Sequence, residues 1–274
     1  MTNLELTPQL FAILSALIEE RVGLSYASTD QALLASKLAG RASEAGFESL
    51  LDYYYFLRYD PNSESEFEAL VNALVVNETF FFREFEPLQL AVTQFLLPLV
   101  HAGHTPRVWC AACSTGEEPL SLAMLLDQHG ISSKVELVAT DVSTAALERA
   151  RAGRHGRRSL RHVPVPELAA KWLHLDDDGI RVVGDLGRTI DWRYVNLLDS
   201  TAVRALGGFD VILCRNVLIY FRDQLVSQVV QCLQERLRPG GALFVGVSES
   251  LMRFGAALEC EERGGVFLYR KSQL

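Results

Sequence analysis

Apolar residues in the first quarter of the chain recur at the three- and four-residue spacing of amphipathic helices. Thr7-Pro8 supplies an N-cap followed by proline at the first helical position, and Leu10, Leu14, Leu17 and Ile18 then mark one face until Gly23 closes the segment. A second helix is predicted from about Asp30 to Gly46, a third over LLDYYYFLRY, and a fourth from Ser63 to about Val76. A fifth, rich in Leu and Val, runs from about Glu86 to His101. From Arg107 the pattern changes to short apolar runs alternating with helical segments: RVWCAAC, EPLSLAMLLDQ, KVELVATD, STAALERARAG, and later FDVILCRN, DQLVSQVVQCLQERL and ALFVGVS. That alternation predicts a parallel α/β sheet. Between Gly153 and Trp192 it lapses into a stretch punctuated by Pro, Gly and Asp, with IRVV and TIDWRYV as short strands, read as a small inserted β element at about 154–192. ALECEE and GGVFLYRK, joined at Gly264-Gly265, read as an antiparallel pair on the sheet edge. The expected domains are therefore a helical one over 1–76, a connecting segment and helix over 77–106, and an α/β domain over 107–274.

Composition narrows the class. With 49% hydrophobic and 22% charged residues among 274, the chain has the make-up of a folded globular protein large enough for two domains. The start, MTNLELTPQL, lacks a basic and then apolar leader, and no apolar run approaches the ~18 residues of a membrane span. A cytoplasmic, monomeric protein with no membrane insertion is expected. Five cysteines in apolar contexts suit reduced, buried thiols; Cys110 and Cys113 lack the second ligand pair that a zinc site needs, so no metal is expected. A net charge of -8 argues against general nucleic-acid binding. Charge is uneven, however. Arg149, Arg151, Arg154, Arg157, Arg158 and Arg161 lie within thirteen residues that contain no acid. A solvated helix end with its loop and a docking surface for an acidic partner both fit that run. The six histidines mostly fall in loops and helix ends, where exposed structural roles are the default expectation.

The candidate chemistry lies at the ends of the predicted strands. The first strand ends in CAACSTGEEPLS, whose small residues Ala111, Ala112, Cys113, Ser114 and Gly116 allow close approach of a ligand to the backbone. One glycine is too few for a GxGxxG cradle, so a cofactor without phosphates fits better. Asp141 ends the second strand 25 residues beyond Gly116, where such folds place a carboxylate on ribose hydroxyls; a helix N-cap explains it as well. Asn196 in YVNLLD and Arg215-Asn216 in CRNVLIYF add polar residues at two more strand ends. NETFFFRE, Asn77 to Glu84, fits neither helical nor strand periodicity and asks for another explanation.

NETFFFRE, STGEEPLSLA, ATDVS, VNLLD, FDVILCRNVLIYF and LRPGGALFVGVSESL together resemble the chemotaxis receptor methyltransferase family, CheR, in order and over nearly the whole chain. The resemblance implies a Rossmann-like methyltransferase sheet, an N-terminal all-helical domain, and an inserted antiparallel β subdomain. It implies S-adenosyl-L-methionine as methyl donor and S-adenosyl-L-homocysteine as product. Carried over by motif position, the cofactor-binding residues are Asn77, Thr79, Arg83, Glu118, Asp141, Asn196, Leu197, Arg215 and Asn216. The catalytic pair is Arg83 and Tyr220.

These roles have physical sense. Asp141 can accept two ribose hydroxyls, and Glu118 can meet the cationic methionine end, although a first-turn acid also answers the helix dipole. Leu197 would offer backbone and apolar contact to adenine. The phenylalanine run is expected to help close the pocket between the helical and sheet domains. A carboxylate acceptor of pKa ~4.3 needs no general base, which suits the lack of a recognisable His-Asp or Cys-His constellation. The implied reaction is methyl-ester formation on glutamates of the helical cytoplasmic domain of a chemoreceptor-type signalling protein. The alternatives are methylation of RNA or a small molecule, and a cofactor-binding module without turnover. Two features depart from family patterns: the second helix carries only Lys37 and Arg41 where flagellar-receptor enzymes are often strongly basic, and HLDDDGIRVV has one glycine where some members bind a receptor tether.

Overall fold

The computed structural model describes residues 4–255 and 257–273. Two compact units emerge, one formed by the chain up to Val76 with Tyr220–Arg222, the other by Asn77–Ile219 with the chain from Asp223.

The first unit is helical: α1 (Pro8–Val22), α2 (Gln31–Glu44), α3 (Leu50–Tyr59) and α4 (Glu64–Leu74). Thr7 caps α1 by accepting from the Leu10 amide, and Gly23 ends it at φ 81°, a left-handed conformation that glycine adopts without steric penalty. Ser49 caps α3 by accepting from the amides of Leu51 and Asp52. Leu14, Leu17 and Ile18 from α1 are buried, as are Leu34 and Leu38 from α2, Leu50 and Leu57 from α3, and Phe67 and Leu70 from α4. A polar knot ties three of these helices. Glu66 accepts the Tyr53 hydroxyl at 2.7 Å and both Arg41 Nε and Nη2, a fork-on-carboxylate geometry. Lys37 donates to the Leu74 carbonyl at the end of α4, and burial lowers its pKa. Both cations of α2 are thus engaged within the unit.

The second unit begins with a helical run interrupted once: α5 (Phe85–Leu90), a π-helical turn (Ala91–Leu96) and α6 (Leu97–His101). Pro98 lacks an N–H and crowds the carbonyl four residues back, which accounts for the widened turn ahead of it. The sheet contains β1 (Arg107–Ala111), β2 (Glu136–Asp141), β6 (Ile190–Tyr194), β7 (Phe209–Cys214), β8 (Leu237–Phe244), β9 (Glu259–Arg263) and β10 (Val266–Arg270), in the order β6-β2-β1-β7-β8-β10-β9. The first five are parallel, and β10 pairs antiparallel with both β8 and β9. Helices α7 (Glu117–Gln128), α8 (Thr144–Ala152), α10 (Ser200–Ala205) and α11 (Asp223–Arg236) connect the strands. A second, antiparallel sheet, β3-β5-β4, holds β3 (Arg154–His155), β4 (Leu173–Asp176) and β5 (Gly179–Val182), with α9 (Pro166–Trp172) between β3 and β4. This is the mixed α/β architecture with the helical N-terminal part and extra antiparallel sheet expected from sequence.

One expectation is corrected. TIDWRYV, assigned to the inserted element, supplies β6, the edge strand of the main parallel sheet, with Leu137 facing Ile190 and Asp141 facing Tyr194 in register. Its alternating pattern, exposed outward, reads like a hairpin strand, and parallel pairing with a partner fifty residues earlier leaves no local signal.

Candidate cofactor and methyl-transfer site

Chain order reverses direction at β1, with β2 on one side and β7 on the other, so a crevice opens beyond the carboxyl ends of these strands. All the strand-end residues singled out from sequence lie at that edge, because β6, β2, β1, β7 and β8 run the same way.

The loop from β1 to α7 is bent sharply. Ala112 and Ser114 both have left-handed backbone, at φ 57° and 51°, and the Cys113 amide donates to the Thr140 carbonyl. That turn aims the Ser114 amide at Asp141 Oδ2, 2.7 Å away, while Oδ1 accepts from the Ser143 amide at 2.9 Å. Asp141 is 8% exposed, and burial raises its pKa against the opposing pull of the Ser143, Ser114 and Val142 amides. Three amides on about four lone-pair positions leave one acceptor position for a ligand hydroxyl. Gly116 has a different task from the close approach expected of it. At φ 93°, an added Cβ would sit 2.6 Å from Ala150 Cβ and 2.9 Å from Trp192, so its smallness seats α7 against α8 and β6.

Arg215, just past β7, is the hub of the site. Its side chain is 2% exposed. Nη1 donates to Glu118 Oε2 at 2.7 Å, and Nη2 donates to the carbonyls of Arg83 and Glu84 and to Glu84 Oε2. The Cys110 thiol also donates to Glu118, whose pKa burial raises even though Arg215 opposes the rise. Glu84 experiences burial too, yet Arg215 and Asn216 bring it below the usual carboxylate range. Two carboxylates around one guanidinium leave net negative charge, which suits a cationic ligand.

The NETFFFRE segment owes its odd composition to this hub. Phe82 and Glu84 have left-handed backbone, φ 61° and 46°, costly for side chains of that size. The conformation turns two successive carbonyls onto Arg215. Phe81 and Phe82 lie in the core of this unit, with the Phe81 ring edge-on to His155 and the Phe82 amide donating to Ser121 Oγ. Phe80 lies beneath the guanidiniums of Arg161 and Arg83, 5.0 and 5.8 Å from its centroid. Arg83 Nη1 donates to the Glu78 carbonyl, and Asn77 Oδ1 accepts from Ser114 Oγ at 3.0 Å. Thr79 is half-buried in the same loop.

Other predicted residues stand as follows. Asn196 Oδ1 accepts from the Leu198 amide, and Leu197 beside it is buried. Asn216, at φ 59°, donates through Nδ2 to Glu84 Oε1. Tyr220 ends a 3-10 turn (Leu218–Tyr220) and belongs to the helical unit, where its carbonyl accepts from the Ser25 amide. Sequence reading missed several partners: Glu84, Glu249, and the buried pair Glu117–His155, Oε1 to Nδ1 at 3.1 Å. His155 corrects the expectation that the histidines are exposed. Burial acts to raise the Glu117 pKa, but bonds from His155, Thr115 and Ser159 bring it down instead. Within the arginine run, Arg151, Arg157 and Arg161 bond to the Trp192 carbonyl, the Asp176 carbonyl and Glu78 respectively. Of the cysteines expected to be buried, Cys110, Cys113 and Cys214 are, whereas Cys260 is exposed.

Profiles of two domain families match the chain: the CheR methyltransferase SAM binding domain over residues 77–263, and the CheR methyltransferase all-alpha domain over residues 9–75. The chain belongs to the CheR methyltransferase family. Chemotaxis protein methyltransferase 2 of Vibrio cholerae is 34% identical over 86% of this chain and 84% of its own length. Chemotaxis protein methyltransferase 1 of Pseudomonas aeruginosa is 33% identical over 88% and 90%. A probable biofilm formation methyltransferase, WspC, of the same organism is 36% identical over 85% of this chain but 55% of its own. This CheR-family protein is therefore an S-adenosylmethionine-dependent methyltransferase, and the acceptor position left on Asp141 and the surplus negative charge around Arg215 suit that cofactor's ribose and cationic methionine end. Among the described residues, no helix is long and apolar enough to cross a membrane.

Proposed function

We propose that this protein esterifies glutamate side chains on the helical cytoplasmic domain of a chemoreceptor-type signalling protein, acting as a monomer in the cytoplasm. When bound, S-adenosylmethionine supplies an electrophilic methyl group on a sulfonium and leaves as S-adenosylhomocysteine. Asp141 holds the ribose, Asn196 and Leu197 flank the adenine, and Glu118 faces the methionine end. Asn77, Thr79, Arg83 and Asn216 line the remaining pocket, and Arg215 orders Glu118 and the NETFFFRE loop around it. The helical domain to residue 76 and the inserted antiparallel sheet are the parts left over for receptor recognition.

The observation that carries the reading is the Arg215 cluster, which joins the family's N-x-T-x-F-F-R motif to the cofactor loop through buried hydrogen bonds. A carboxylate acceptor arrives ionised, so the chain has to align groups and exclude water and needs no base. In the proposed chemistry Arg83 and Tyr220 hydrogen-bond one acceptor oxygen and leave the other aimed at the methyl group.

The test is transfer of tritiated methyl from S-adenosylmethionine to receptor cytoplasmic fragments from motility and biofilm pathways. Base-labile, volatile label on a receptor fragment is the expected outcome. Label confined to RNA or a small molecule, or cofactor binding with no transfer to any receptor, overturns the proposal.

A further inference from the structure

Glu249 lies five residues beyond the end of β8 in GVSES, and its carboxylate collects four backbone amides. Oε2 accepts from Asn216 at 2.8 Å and from Gly246 at 2.7 Å; Oε1 accepts from Leu218 at 2.8 Å and Ile219 at 3.3 Å. In the opposite direction, the Glu249 amide donates to the Gly246 carbonyl at 2.8 Å. The acid therefore staples the loop after β8 to the loop after β7, at the point where Asn216 turns left-handed.

Gly246 is fitted to this arrangement. A Cβ there would meet Asn216 Nδ2 at 2.5 Å, Glu249 Oε2 at 2.9 Å and the Asn216 amide at 3.0 Å. Such proximity leaves room for a carboxylate and an amide plane and for nothing more. The stapled segment, Asn216 to Ile219, holds one proposed cofactor contact at its start and is followed directly in the chain by Tyr220.

We propose that Glu249 is a positioning residue for methyl transfer: it fixes the turn that presents Asn216 to the cofactor and anchors the segment that runs on in the chain into Tyr220. This rests on the role proposed above for Tyr220. A carboxylate suits the task because both of its oxygens only accept. Glutamine would turn an N–H₂ toward one of the two pairs of amides, donor against donor.

The experiment uses the full chain with three readouts: single-turnover methylation of a receptor fragment, calorimetric affinity for S-adenosylhomocysteine, and amide hydrogen exchange. In Glu249→Gln, exchange at Asn216, Leu218 and Gly246 should quicken while core amides such as those of β1 and β2 stay protected. Turnover should fall about tenfold to a hundredfold, as expected when a reacting group is displaced by a fraction of an ångström to an ångström. Cofactor affinity should fall much less than turnover. In a Tyr220→Phe background, Glu249→Gln should lower turnover by a smaller factor than in wild type. Gly246→Ala, which crowds the staple and leaves the carboxylate in place, should give the same local exchange and the same loss of turnover, and it decides the matter if Glu249→Gln does not fold.

Turnover within twofold of wild type in both variants overturns the proposal. So does a loss that tracks general loss of exchange protection, since that marks Glu249 as a stability residue alone. Full activity in Tyr220→Phe would instead refute the tyrosine role on its own; fast local exchange with lost cofactor affinity in Glu249→Gln would then still support positioning through Asn216, and unchanged exchange would overturn it.

Discussion

Arg215→Met removes the guanidinium that bridges two carboxylates in the interior of the site. The side chains of Arg215, Glu84 and Glu118 are 2%, 17% and 15% exposed, so water replaces little of what the guanidinium supplied. Breaking a buried pair from one side costs about 3–5 kcal/mol. For a unit of this size each kcal/mol lowers Tm by about 2–4 °C, which gives an expected drop of about 6–20 °C at neutral pH. The pH dependence has a definite sign. Burial already raises the Glu118 carboxyl with Arg215 present, and without it only the Cys110 thiol opposes burial at Glu118, and only Asn216 and the Arg83 charge at Glu84. Above the unfolded pKa of ~4.3 and below the raised folded value, the native state then holds more protons than the unfolded state, so stability falls as pH rises. The deficit relative to wild type should therefore be larger at pH 8 than at pH 5.5, by about 1.4 kcal/mol for each unit by which a folded pKa is carried above 5.5. Circular-dichroism melts of the two proteins at both pH values measure this, and Glu84→Gln added to Arg215→Met should restore part of the loss. An equal deficit at both pH values, or one below about 1 kcal/mol at pH 8, would refute the account of the cluster as a buried charge balance.

Further outcomes follow from the same geometry. Asp141→Ala should weaken S-adenosylmethionine binding about tenfold to a hundredfold by calorimetry, the loss expected for a charged acceptor; unchanged affinity in a folded variant contradicts the ribose role. Gly116→Ala combines a left-handed backbone with overlap on Ala150 and Trp192 and should cost about 2–4 kcal/mol in denaturant melts. Gly130→Ala, also left-handed but with open space around its Cβ, should lose only the backbone part, and equal losses in the two would remove the packing argument. Tyr220→Phe should lower turnover with cofactor affinity intact, and its combination with Arg83→Ala should lose less than the product of the two single effects. Strictly multiplicative losses would mean that the two residues do not act on one oxygen.

The helices were legible because their signals are local. Thr7-Pro8 and Gly23 mark boundaries within one turn, and LLDYYYFLRY is α3 to the residue. The predicted second helix, from about Asp30 to Gly46, overran α2 at both ends, where Asp30 closes a preceding 3-10 turn. The strand-end residues were legible because parallel strands place their carboxyl ends together, so Asp141, Asn196, Arg215 and Asn216 needed only the direction of the strands. What the sequence withheld depends on pairing over distance or on backbone conformation. Glu84 meets a guanidinium 131 residues later, and Glu249 reaches back 33 residues to Asn216. No spacing rule connects such pairs. Left-handed backbone at Phe82, Glu84, Ala112 and Ser114 was equally hidden, because those residue types give little warning of it, unlike Asn216, whose type favours it; among the described residues, every non-glycine residue with positive φ lies in the site loops.

The strand order also sets a timetable for synthesis. On the ribosome β1 and β2 can pair as soon as both have emerged, but the other edge of β1 waits for β7, whose residues follow about 100 positions later. At a translation rate of about 5–20 residues per second, that interval is roughly 5–20 s. Through it, the apolar edge Val108–Ala111 lacks its permanent neighbour, and Glu84 and Glu118 await the guanidinium that will neutralise one of them. The nascent chain thus spends several seconds with a strand edge open to pairing errors, and a chaperone that shields β1 during that window would raise the yield of folded protein.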